Sequence, residues 1–115
     1  FASECLAFLQ AVDTYRSSYF DVGATARLAR AKRIAKIFIA RGAVQEVNVS
    51  DGAARRVHSA LANAQRVGAP SVPREVFDEA RAEIMSIVEN GALMRFRKTR
   101  EFAEFEEAQS PQQQP

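Results

Sequence analysis

Glu46-Val47-Asn48-Val49-Ser50 decides how this chain is read. From Val44 to Val49 apolar and polar residues alternate, which is the period of a β-strand, but the run is short and isolated. With no sheet to join, it is read as an extended connector between helices. Upstream, Thr25 is placed to cap a helix whose apolar stripe is Leu28, Ala31, Ile34, Ala35 and Phe38. Gly42 stands where the end of that helix calls for positive φ. Downstream, Ser50 with Asp51 makes a helix start, and Val57, Leu61 and Ala64 mark the inner face that follows.

The helical period extends in both directions. Cys5, Phe8, Leu9, Val12 and Tyr19 recur at three- and four-residue steps, with Ser3 placed to cap the first turn, and Asp21-Val22-Gly23 breaks the pattern. Val67-Gly68-Ala69-Pro70-Ser71-Val72-Pro73 reads as a loop. A fourth helix is predicted from about Glu75 to Glu89, with Phe77, Ala80, Ile84, Ile87 and Val88 inward and Asn90-Gly91 as its stop. A short segment from Ala92 to Lys98 follows, and Thr99 with Glu101 opens a last short helix carrying Phe102 and Phe105. The predicted fold is all-α: one domain over residues 1–107, a four-helix bundle with short C-terminal helices. The polar tail, 108–115, is expected to be disordered.

Composition narrows the function. The 115 residues suffice for one core, and 47% hydrophobic with 26% charged residues is ordinary for a folded domain. No apolar run approaches the ~20 residues that span a bilayer. The opening residues lack the basic region and apolar stretch of a secretory signal. Since the sequence begins at Phe1, it is expected to be a piece of a longer chain. Cys5 is the lone cysteine, which excludes an internal disulfide and fits a reducing compartment.

One Cys and one His cannot build a structural zinc site, and no catalytic signature is present, neither a phosphate-binding glycine loop nor GxSxG nor HExxH. His58 reads as solvated. Glu75, Glu79 and Glu83 form an i, i+4 stripe opposite the apolar face and read as solvent-facing. The phenylalanines at helical spacing read as core. The net charge of +2 is unevenly spread, with Arg27, Arg30, Lys32, Arg33, Lys36 and Arg41 lying in a stretch free of acids. The face formed by Arg27, Arg30, Lys32, Arg33 and Lys36 is a candidate contact for an anionic membrane. No aromatic or glycine-rich reading element accompanies it, so nucleic acid is not expected.

Ser3-Glu4-Cys5-Leu6-Ala7-Phe8, the Glu46–Ser50 connector, Val76-Phe77-Asp78-Glu79-Ala80 and Met94-Arg95-Phe96-Arg97-Lys98-Thr99 together resemble the regulator of G-protein signalling (RGS) domain. The resemblance runs from Ser3 to Phe105. It implies a partner, the α subunit of a heterotrimeric G protein, whose GTP hydrolysis such domains accelerate. GTP and Mg would be bound by that partner, and the domain would need no cofactor, metal or active site of its own.

The resemblance also implies a site. Three loops would converge at one end of the bundle: the Glu4-Cys5 corner, Asn48-Val49-Ser50, and the region from Ile87 through Gly91 and Ala92 to Arg95. Asn48 would be the principal contact with the mobile switches and would orient the glutamine that positions the attacking water. Glu4 and Ile87 would bind the partner, and Arg95 would be an orienting cation. An activator of this kind needs only to bind the transition-state shape of the switches better than the ground state, since the α subunit carries its own arginine. The location implied is cytoplasmic, or the cytoplasmic face of the plasma membrane.

Several positions depart from the family pattern. Cys5 stands where an Asn is usual, Gly91-Ala92 where Asp-Ser is usual, and Leu9 where a Trp is usual. Each lost polar contact is expected to cost ~1–3 kcal/mol, so two weaken binding roughly 30-fold to several thousand-fold. The helices that normally precede the Ser-Glu motif are not in the sequence, which leaves Phe1, Phe102 and Phe105 expected to line an apolar patch. The long Ser50–Val76 connection is expected to reach the α-helical domain of the partner. An alternative is an RGS-like scaffold that binds another protein or a membrane without activating a GTPase, as in anchoring proteins, sorting nexins and receptor kinases. Asn48 favours the activator; Cys5 and Gly91 favour the scaffold.

Overall fold

The computed structural model describes residues 3–91. Helix α1 spans Ser3–Ser17, α2 spans Ala24–Ile34 and α3 spans Asp51–Val67. A fourth helix, α4, covers residues 78–91. Short 3-10 turns at Tyr19–Asp21 and Ala69–Ser71 close the two connections at one end. No strand is present among the described residues; the run Val44–Val49, expected to be extended throughout, opens instead with a turn at Val44 and Gln45, where the Glu46 amide donates to Ala43 O at 3.2 Å, and carries no regular element from Glu46 on. The all-α class therefore holds. The segments from Ala92 onward, with Phe1, Phe96, Phe102 and Phe105, lie outside the described residues.

Neighbouring helices run antiparallel. Asp13 pairs with Arg81 and Arg16 with Asp78, so α1 and α4 cross in opposite directions at a fixed register. Arg56 with Glu79 and Ser50 with Glu83 do the same for α3 and α4. The result is an up-down-up-down bundle. The start of α1, the connector before α3 and the end of α4 share one end of it.

The core is aromatic at its centre. Phe8 meets Phe38 and Phe77 edge-on at centroid distances of 5.5 and 6.4 Å, and Tyr15 meets Phe77 at 5.6 Å. Val12, Ile39, Val57, Ile84 and Val72 are also fully enclosed. Burial of such side chains contributes about 1.5–3 kcal/mol each. Leu9 is buried in the place where a larger Trp was expected by resemblance.

Five local expectations are corrected. Tyr15, not Tyr19, is the deeply buried tyrosine, because α1 ends at Ser17 and Tyr19 belongs to the following turn. Gly23 rather than Thr25 occupies the N-cap of α2. Helix α4 begins at residue 78, not about Glu75, and still includes Asn90 and Gly91, the residues expected to stop it. Ile87, expected inward, is exposed on α4. Phe20 departs from the all-core assignment of the phenylalanines; it is 80% exposed beside Arg74.

An unforeseen feature joins α2 to the connector. The last turn of α2 widens into a π-helix over Ala35–Ile39, where the Ala40 amide reaches the Ala35 carbonyl at 2.9 Å. Ala35, Phe38 and Ile39 remain buried, so the wide turn keeps its apolar side in the core. Such turns often lie beside functional sites.

Candidate functional site

The connector is built from both ends. Ile37 and Phe38, at the end of the wide turn, have carbonyls with no partner further along the helix. The Gln45 amide donates to Ile37 O at 3.1 Å, and the Val47 amide to Phe38 O at 2.9 Å. Gly42 makes the reversal with φ +79°, and its amide donates to Glu46 Oε1 at 3.0 Å. That amide, followed by the Arg41 guanidinium, holds the Glu46 carboxyl below its usual range. Glu46 thus closes the turn ahead of Asn48.

Asn48 sits at a tip. The Val49 amide donates back to Val47 O at 3.1 Å, which makes Asn48 the central residue of a three-residue turn with negative φ. Val47 and Val49 are buried, at 2% and 4% exposure, while Asn48 is exposed. The turn explains this: with the valines on both sides anchored in the core, the residue at its tip points outward. Among the described residues, no hydrogen bond involves the Asn48 carboxamide. It is not spent on capping a local turn, as loop asparagines commonly are.

Ser50 caps α3 by accepting from the Ala53 amide at 3.1 Å. It has a second partner the sequence did not reveal. Its amide and hydroxyl both donate to Glu83, at 2.7 Å to Oε1 and 2.7 Å to Oε2. The Ser50 amide, then its hydroxyl, pulls the Glu83 carboxyl below the ordinary glutamate range. The acidic stripe is therefore not simply solvated: Glu79 pairs with Arg56 and Glu83 with Ser50.

The expected site residues fall as follows. Glu4 is half-buried in the first turn of α1, and the α1–α4 register brings it level with Asn90. Ile87 lies one helical turn beyond Glu83 and hence on the same face of α4 as the Ser50 tie. Asn48, Glu4, Ile87 and Gly91 are thus gathered at one end of the bundle. The Cys5 and Val49 side chains are buried and line the core behind that end. Ala92 and Arg95 lie outside the described residues.

The basic face is partly tied up within the fold. Arg27 turns inward: its guanidinium stacks 4.5 Å from the Tyr19 ring centroid and donates to Tyr19 O and Val22 O, both at 3.0 Å. Arg30 donates to Ser18 and Lys32 to Gln65. Of the five cations, only Arg33 and Lys36 lack a hydrogen-bonded partner among the described residues. A cleft of about 480 Å³ between α1 and α2 runs beside Ala11, Tyr15, Arg30 and Ile34, away from Asn48. No metal-binding cluster occurs among the described residues, and none of their helices is long and apolar enough to cross a membrane.

Among the described residues, four antiparallel helices present three chain segments at one end, with an exposed amide at the tip, and define an all-α helical bundle. A family model described as the regulator of G protein signaling domain matches residues 1–105, and the chain belongs to that family. No curated protein and no solved structure matches it. Members of the family act as regulators of G proteins rather than through an active site of their own.

Proposed function

We propose that this domain binds the α subunit of a heterotrimeric G protein and accelerates its GTP hydrolysis by holding the switch segments in their transition-state shape. The observation that carries this is the exposed Asn48 carboxamide, uncommitted within the described fold and held between two buried valines. Glu4 and Ile87 flank it at the same end as further contacts. GTP and Mg belong to the partner, and the domain contributes no nucleophile or metal. Its place of action is the cytoplasm or the cytoplasmic face of the plasma membrane, where such partners reside.

A second reading, a scaffold without GTPase activation, is favoured by one observation. Cys5 is buried at the position where the family pattern has a partner-facing Asn, so its side chain adds no polar contact. An anionic membrane contact would fall to Arg33 and Lys36, a smaller patch than the sequence suggested.

Single-turnover GTP hydrolysis by a panel of α subunits separates the two. Acceleration by the full-length protein, abolished in Asn48→Ala with helicity unchanged, supports the activator. No acceleration, together with no binding to the aluminium-fluoride state, overturns it in favour of the scaffold.

A further inference from the structure

We propose that Glu83 is the positioning residue that sets the place of Asn48. The proposal rests on the reading of Asn48 as the partner contact. The connector has two fixed ends with Asn48 between them. Its upstream end is anchored on α2 by the Gln45 and Val47 amides. Its downstream end is anchored on α4 by Glu83, which takes both donors of Ser50 at 2.7 Å. The Ser50 cap alone orders the start of α3 but does not tie it to α4. A bidentate, charged acceptor does, with stronger and more directional bonds than a neutral one.

The location of Glu83 gives that tie a purpose. Ile87 follows it by one turn on α4, so one helix both carries a candidate partner contact and fixes its distance from the Asn48 tip. A contact group held in its bound geometry loses less freedom on association and binds more tightly. Arg56 and Glu79, from α3 and α4, are the charged neighbours of the pair; Arg56 supports the ionised carboxylate.

The test measures affinity of the full-length protein for an aluminium-fluoride-loaded α subunit, with hydrogen exchange of the free protein beside it. Glu83→Ala is expected to weaken binding about tenfold and to leave the maximal acceleration at saturation unchanged, since only preorganisation is lost. Glu83→Gln, which keeps one acceptor oxygen for the Ser50 amide, is expected to recover part of that affinity. In an Asn48→Ala background, Glu83→Ala is expected to cost nothing further, because it acts through Asn48. The bonded amides of Val47, Val49 and Ser50 are expected to exchange about tenfold faster in Glu83→Ala.

Equal losses of affinity with and without Asn48 would overturn the proposal, since a merely structural carboxylate behaves that way. Unchanged exchange at the Val47, Val49 and Ser50 amides would overturn it in every case. If wild-type protein binds no α subunit, the proposed function fails instead, and exchange alone decides whether Glu83 fixes the connector.

Discussion

The Val47 amide donates to the Phe38 carbonyl across 2.9 Å, and through that bond the end of α2 fixes where the connector leaves the bundle. The two residues on either side of the turn are buried and the bond lies against the core. The Asn48 amide, one residue on, has no acceptor among the described residues. Native-state hydrogen exchange should therefore show Val47 at least about tenfold slower than Asn48. Similar rates for the two would mean that the connector is not held as described.

Gly42 is a second check on the same turn. A Cβ there would meet nothing within 4 Å, so any penalty comes from its φ of +79° alone. Gly42→Ala is expected to lower unfolding free energy by about 1 kcal/mol, and Gly42→Asn by less, because Asn tolerates the left-handed region better. Urea denaturation of the three proteins measures it.

At the opposite end, the Tyr15 hydroxyl donates to Pro73 O at 2.7 Å, and burial pushes its phenol well above the ordinary value. Tyr15→Phe preserves the ring contacts but leaves that carbonyl without its donor. A loss of about 1–2 kcal/mol is expected in chemical denaturation, with little change in the helical circular dichroism of the folded state.

Arg27 should resist conservative replacement. Its planar head meets an aromatic ring and two carbonyls at once, an arrangement an ammonium group cannot reproduce. Arg27→Lys is expected to destabilise by about 1–2 kcal/mol even though the charge is kept. A melting temperature equal to wild type would return this residue to the solvated face.

Acid should loosen the connector. Glu46 and Glu83 both have carboxyl pKa values below normal in the folded protein, each chiefly through a backbone amide. Such groups contribute stability above the unfolded value, ~4.3, and the contribution disappears as pH falls through the lower folded value. An NMR titration should find the Glu83 midpoint below that of a free glutamate. The Ser50 amide should shift with the same midpoint, and Glu83→Gln should flatten that response.

Much of this was legible in the sequence, for local reasons. Ser50 with Asp51 announced a cap, Gly42 a reversal, and the valines around Asn48 an extended segment with its polar residue outward. What stayed hidden depends on partners distant in the chain or on where a helix ends. Ala35–Ile39 has the apolar spacing of an ordinary α-helix, so nothing marked its π geometry. Tyr15 and Tyr19 share a helical face, and only the end of α1 at Ser17 decides which is enclosed. Glu83 looked like one member of a solvated stripe. The signal available was that Ser50, preceding a helix, carries two donors in need of an acceptor. In the same way Arg27 was hidden inside a run of surface cations.

The Asn48 carboxamide makes no bond within the described fold, so folding and the proposed signalling role place separate demands on this chain. Selection for a stable bundle acts on the valines, on Ser50 and on the aromatic core, and is blind to the amide between them. Under the proposed function, a lineage could replace that one side chain, keep a domain that folds as before, and lose only its hold on the partner. On that reading an activator and an inert scaffold are a single substitution apart.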